Sequence, residues 1–311
     1  MSPYSNPEEV ERAIRKAIQK SGREPGDTYR QFLRDRLLSR IFAGGAGRYV
    51  LKGGSGMLAR IPDARATRDI DLALRDGQRE SVDNVLRGFT ALIKQDLGDL
   101  FVFTLDNYSE GLDDNGYARL IKLKFRTYIG SEEKDPVTID LALDCHLSVE
   151  PQRMYPKNRL EVSGMIGSDY LLYPLVDQIA DKVCATMEVY PGGHSSSRMK
   201  DLVDLVLIAT SSSVRAEELS VAIRMEVGRR NMEPITSFNA PKSWIKPFAV
   251  FACKSGVDVA YCDFYAAEKL ACAFLDPVLS GSVLSGSWSV EAKKWIGDSR
   301  SAIGAKLVTF V

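Results

Sequence analysis

Asp69 and Asp71 are separated by one residue inside the run Asp69-Ile70-Asp71-Leu72-Ala73-Leu74. Its alternation of polar and apolar residues has the period of a β-strand. Residues two apart on a strand project from the same face, roughly 7 Å apart at a rise of ~3.3 Å per residue. Two carboxylates so placed can share hard cations such as Mg²⁺. Fifteen positions before Asp69 stands Gly54, preceded by Gly53 and followed by Ser55. Backbone amides in such a turn can approach a phosphate closely because no Cβ intervenes. A lone Gly-Gly is weak support, and an Asp-x-Asp arises by chance in many strands. The ordered set of strand, Gly-Gly, short helix, break and Asp-x-Asp strand is far more specific. Its chemistry is that of a nucleotide held by its phosphates beside a metal site.

A third carboxylate is offered by Val137-Thr138-Ile139-Asp140-Leu141-Ala142-Leu143-Asp144, another alternating run. Val137, Ile139, Leu141 and Leu143 are expected in the core, with Thr138, Asp140 and Asp144 on the polar face. An aspartate in mid-strand is unfavourable unless it is paired or metal-bound, so Asp140 is either a third metal ligand or a solvent-facing strand residue.

The elements that must position these residues follow from periodicity. Helices are expected over 7–20, opened by Pro7-Glu8-Glu9, and over 27–42. Residues 48–52 read as a strand entering the Gly-Gly turn and 55–60 as a short helix leaving it, ended by Ile61-Pro62-Asp63. An amphipathic helix is expected over 79–97, then strands over 100–106, 118–128 and 136–144. From Pro174 the pattern is helical, with Leu175, Ile179, Val183 and Met187 in one stripe, then a Gly/Ser loop at 191–197 and a helix over 198–209. Residues 215–230, 258–275 and 289–296 also suit helices, and 150–167 suit a linker. The fold class is therefore α/β (α+β): a domain over 1–165 with a mixed sheet, then a mainly helical domain over 166–311.

Lys plus Arg and Asp plus Glu both total 41, so net charge neither demands nor excludes a polyanionic partner. Between residues 11 and 40, however, nine basic residues stand against four acids. These are Arg12, Arg15, Lys16, Lys20, Arg23, Arg30, Arg34, Arg36 and Arg40. They read either as solvated helix faces or as a phosphate-backbone surface. Five scattered cysteines with two histidines and no Cys-x-x-Cys do not suit a zinc site and look like reduced, mostly buried thiols. Cys145 and His146 are strand neighbours that point to opposite faces, which argues against a nucleophilic dyad. His194 is expected exposed in its Gly/Ser loop. No apolar run approaches the length of a membrane span and the start lacks an apolar leader, so no membrane contact and a cytoplasmic location are expected.

The string LKGGSGMLARIPDARATRDIDLAL, residues 51–74, resembles the nucleotidyltransferase superfamily, and within it the AbiEii/AbiGii toxin family with its MenT-like members. That family shows a K-G-G turn, an R-x-T/S-x-D-h-D strand (h apolar), a helical A-x-K motif and an R-x-K-D-L-x-D-L motif. The last two stand here as Ile179-Ala180-Asp181-Lys182 and Arg198-Met199-Lys200-Asp201-Leu202-Val203-Asp204-Leu205. The resemblance implies a nucleotidyltransferase-fold N-terminal domain in which Gly53, Gly54 and Ser55 bind phosphate and Asp69 and Asp71 bind Mg²⁺ (or Mn²⁺). It implies that Lys182 contacts the nucleotide phosphates and that Asp201 or Asp204 completes an active site in the cleft between the domains. Otherwise Lys182 and Asp181 would be an ordinary exposed pair and Asp201 would merely answer Lys200. The implied activity is transfer of NMP from an NTP to RNA, foremost the tRNA 3′ end, blocking translation, in a toxin paired with a cognate antitoxin. Two rivals stand beside it: a small-molecule nucleotidyltransferase of the antibiotic-modifying type, and a catalytically dead nucleotide-binding module. Thr67, two residues before Asp69, is expected to share the metal face if the strand already begins there. Phosphorylation of Thr67 would then add roughly −1.5 to −2 charges and oppose NTP entry.

Overall fold

Asn6 opens the first helix by accepting the N–H of Glu9 at 2.9 Å, and Pro7 occupies the first position, where no N–H is needed. This helix, α1 (Pro7–Ser21), ends at Gly22 in the left-handed region, φ 66°. Val10, Ile14 and Ile18, four apart, form its buried stripe. The second, α2 (Pro25–Gly44), is capped by the Glu24 carboxylate on the N–H groups of Gly26 and Asp27. The computed structural model describes residues 3–45, 47–62, 64, 67–75, 80–112, 116, 118–190 and 192–297. The chain divides into two units, with the division after Pro174.

In the first unit follow β1 (Tyr49–Lys52), α3 (Gly53–Arg60), β2 (Ile70–Leu74), α4 (Val82–Ile93), β3 (Phe101–Leu112), β4 (Arg119–Ile129), β5 (Glu132–Ala142), β6 (Gln152–Met154) and β7 (Tyr170–Leu172). They form a seven-stranded sheet in the order β3-β4-β5-β2-β1-β7-β6. The sheet is mixed: β2 runs parallel to β5 and β1 to β7, the remaining pairs being antiparallel. On β4 the alternation is legible in burial, with Ile121, Leu123 and Phe125 in the core and Lys122, Lys124 and Arg126 exposed. The core packs these residues with Ile14 of α1, Leu37 of α2 and Phe89 of α4, each fully buried apolar side chain contributing roughly 1.5–3 kcal/mol.

Three of the nine basic residues expected on the helix surface are buried instead. Arg36 and Arg40, each 1% exposed, clamp Asp99: Arg36 Nε donates to Oδ2 at 2.8 Å and Arg40 Nη2 to Oδ1 at 2.6 Å. Arg36 also donates to the Ile166 carbonyl and Arg40 to that of Phe101. Arg34 is spent on Gln31 and the Arg68 carbonyl, and burial lowers its pKa. A candidate nucleic-acid surface built on Arg34, Arg36 and Arg40 is therefore ruled out. Helix α2 is buried around its whole circumference from Phe32 to Phe42, where charge is tolerated only when paired with its hydrogen bonds complete. Arg12, Arg15, Lys16, Lys20, Arg23 and Arg30 remain exposed.

The segment expected to link two domains, 150–167, belongs to the first unit. It supplies β6 and buries Leu160 and Val162 in that core. The second unit contains α5 (Leu175–Met187), a hairpin of β8 (Val189–Tyr190) and β9 (His194–Ser195), α6 (Met199–Ser211), α7 (Ala216–Arg229), α8 (Ile245–Cys253), α9 (Phe264–Leu279) and a hairpin of β10 (Ser287–Ser289) and β11 (Lys294–Ile296). Helix α5 packs on α6 and α7, and α6 on α9. The helix expected over 289–296 is this last hairpin, because Trp288 and Trp295 close on Phe274 and their indole N–H groups reach the Ala209 and Phe274 carbonyls. The helix expected from 258 starts at Phe264, where Asp263 caps it. Among the described residues no helix is long and apolar enough to cross a membrane. The five cysteines are free, Cys184 and Cys262 buried and Cys253 exposed.

Candidate active site

The Gly-Gly turn and the carboxylates meet because Gly53 has no side chain. Gly53 lies at φ +59°, and a Cβ built there would stand 1.9 Å from Asp71 Oδ2. Only glycine both adopts that conformation freely and leaves the carboxylate its place. A Cβ on Gly54 would lie 2.9 Å from Thr67. The turn is thus pressed between the loop before β2 and β2 itself. Lys52 stands at the N-cap of α3 and makes no side-chain cap hydrogen bond; helix starts of this kind are common anion sites.

Ser55 does not present its hydroxyl to solvent. It is buried and donates to the Asp69 carbonyl at 3.1 Å, so its side chain fixes the entrance to β2, and phosphate binding would fall to its backbone. Thr67 lies in the loop, since β2 begins only at Ile70. Strand alternation therefore does not govern Thr67; its hydroxyl donates to the Asp69 carbonyl at 3.4 Å. Asp69 is exposed just ahead of β2, and the Thr138 hydroxyl donates to its Oδ1.

Asp71 and Asp140 are Cα partners on the adjacent parallel strands β2 and β5, so their side chains share one face of the sheet. Both are half-buried. Asp140 is ion-paired with Lys122 of β4 at 3.5 Å, and Asp71 is opposite Lys52 of β1. One row across four strands therefore reads Lys52, Asp71, Asp140, Lys122.

Among the described residues no group of three or more His, Cys, Asp or Glu is arranged to hold a metal ion. Asp69, Asp71 and Asp140 do not form a closed cage. The donor set still suits a small hard cation, because Mg²⁺ is usually bound through one or two carboxylates and completes its shell with waters and substrate phosphates.

In the second unit Lys182 of α5 is buried, its Nζ 3.2 Å from Asp201 Oδ1 and 2.5 Å from Asp204 Oδ2. Asp201 and Asp204 stand three apart on one face of α6, and Arg198 Nε reaches Asp201 Oδ2 at 2.7 Å. Lys182 is therefore not half of an ordinary exposed pair with Asp181, since its side chain is buried against Asp201 and Asp204. Asp181 accepts from Arg230, a buried arginine that also binds Glu188 and Glu226. Burial opposes the charge on Arg230, but its carboxylate neighbours outweigh it and raise the pKa. Lys200 is exposed and Asp201 turns inward. His194 is exposed as expected, and His146 is exposed, its carbonyl accepting from Tyr173.

Sequence reasoning placed Thr138 on the polar face of its strand without assigning it a partner, and it missed Lys122. The signal for Lys122 was the alternation of β4, but only strand order puts it beside Asp140.

A sequence profile described as Nucleotidyl transferase AbiEii toxin, Type IV TA system, matches residues 36–252. Among solved structures the chain is similar to MenT4, a nucleotidyltransferase toxin from Mycobacterium tuberculosis H37Rv, at 18% identity and a TM-score of 0.47, over 72% of this chain and 74% of that one. It is also similar to JHP933 from Helicobacter pylori, at 14% identity and a TM-score of 0.41, over 87% and 95% of the two chains. No curated protein is significantly similar to it.

Proposed function

This chain belongs to the AbiEii nucleotidyl transferase toxin family, and from that premise we propose that it transfers NMP from an NTP to a hydroxyl of RNA, foremost the 3′ end of tRNA, with release of pyrophosphate, in a Mg²⁺-dependent reaction. The observation that carries the proposal is the register of Asp71 with Asp140 beside a turn that only Gly53 can make. Asp69 and Asp71, with Asp140 next to them, are the residues that would hold the metal. Bound there, the metal would neutralise phosphate charge as it develops and lower the pKa of an attacking hydroxyl.

The chain's own residues do the rest. The amides at the start of α3 bind phosphate oxygens, and the Gly53 turn brings them to the carboxylates. Thr138 orients Asp69 through its hydrogen bond. Lys122 is ion-paired with Asp140 and holds its side chain in the row. In the second unit Lys182 is a phosphate-directed point charge, oriented by Asp201 and Asp204.

In the cell such an activity would arrest translation until a cognate antitoxin opposed it. Thr67, packed against Gly54, is a place where phosphorylation would set negative charge at the turn and repel NTP. Thr67→Glu is expected to lose transfer.

Asp69→Ala and Asp71→Ala each should abolish transfer while the fold persists, since losing a metal ligand removes several kcal/mol of transition-state stabilisation. Near wild-type turnover in either purified variant would defeat the proposal.

A further inference from the structure

We infer that the open face of β4 is the track along which a single-stranded stretch of the RNA acceptor runs toward the carboxylates, with Lys122, Lys124 and Arg126 meeting its phosphates and Tyr128 a base. The inference rests on the reading that Asp71 and Asp140 mark where nucleotide is joined to RNA.

Every second side chain of β4 from Ile121 to Phe125 is buried in the core. The residues between and beyond them make a line of cations on the other face. Lys122, Lys124 and Arg126 have side chains 57%, 46% and 52% exposed, spaced roughly 7 Å apart along the strand. The line begins at the site, because Lys122 is paired with Asp140. It leads away past Lys124, opposite Thr138, to the partly exposed Tyr128. Across β3 the neighbours of the three cations are Ser109, Asn107 and Thr104, neutral groups able to donate or accept. Opposite Tyr128 stands Val102, 49% exposed, so the far end of the line is an aromatic ring beside an aliphatic patch.

A basic strip ending in a stacking surface is the arrangement by which proteins hold single strands without reading sequence. Glu133 stands opposite Tyr128 across β5, and a second carboxylate lies among the cations. Asp106 lies 2.9 Å from Arg126 and 3.8 Å from Lys124, a single anion shared by two cations. A strand of phosphates would compete with Asp106 for both.

The test is fluorescence anisotropy of a short fluorescein-labelled single-stranded RNA on the full chain across a salt series, with labelled-NTP binding and RNA labelling measured in parallel. Lys124→Glu/Arg126→Glu should weaken RNA binding at least tenfold and reduce the slope of log affinity against log salt by about 1.4, at ~0.7 per phosphate contact. Tyr128→Ala should weaken binding about fivefold or more with the slope unchanged. Asp106→Asn should tighten it. NTP binding should stay at the wild-type level in all three. Lys124→Gln/Arg126→Gln replaces the charge reversal if that variant fails to fold. If the wild type labels RNA while the variants bind it as tightly and with the same slope, the track is wrong and the proposed reaction stands. If the wild type binds NTP but labels only a small hydroxyl compound, the RNA reading falls and the track falls with it.

Discussion

At the scale of the residue, the sharpest constraint is Gly53. Gly53→Ala would force a Cβ into the space of the Asp71 carboxylate and hold a non-glycine residue at positive φ, at about 1–2 kcal/mol for the backbone alone. The expected outcome is a fall in stability of that order, read by denaturant titration, together with loss of transfer. A Gly53→Ala protein with wild-type turnover would show that the turn and Asp71 do not act together. Lys182 presents a different balance. It is buried between two carboxylates, so Lys182→Ala leaves uncompensated buried charge and should destabilise by about 3–5 kcal/mol. Its loss of NTP binding must therefore be measured on protein shown to be folded at the assay temperature. A Lys182→Ala chain that melts at the wild-type temperature would contradict the buried ion pair.

At the scale of the element, α2 illustrates what spacing conveys and what it hides. Its basic residues at 34, 36 and 40 suggest a charged surface, yet they lie in a stretch buried all round, and Arg36 and Arg40 make sense only once Asp99, far along the chain, is in place. Burial raises the Asp99 pKa, but the hydrogen bonds and charges of Arg40 and Arg36 outweigh it and the net shift is downward. A carboxyl lowered in the folded state stabilises fully above its unfolded pKa and loses that contribution as pH falls through the folded value. The clamp should therefore hold at neutral pH and weaken only below about pH 4. Asp99→Asn should cost about 3–5 kcal/mol at pH 7 and flatten the acid limb of the stability–pH curve. An unaltered acid limb would show that Asp99 is not the titrating partner. Strands β2 and β5 at the site were legible because Ile70-Asp71-Leu72 and Val137-Thr138-Ile139-Asp140-Leu141 alternate. The hairpin at Ser287–Ile296 was not, because it is held by long-range contacts of Trp288 and Trp295 with Phe274. Likewise the D-x-D pair could be found by inspection, whereas Lys122 beside Asp140 follows from the strand order β4-β5-β2.

At the scale of the whole molecule, the family match over residues 36–252 reaches into both units. The carboxylates and Gly-Gly turn stand in the first, and the Lys182 cluster stands in the second. The most direct measurement is incubation of the full chain with each labelled NTP, Mg²⁺ and total RNA, followed by gel sizing of the product, with Asp71→Asn in parallel. The account predicts label in RNA of tRNA size with the wild-type chain, none with Asp71→Asn, and none when the divalent cation is chelated. Label carried only by a small molecule, or transfer that persists in Asp71→Asn, would contradict it.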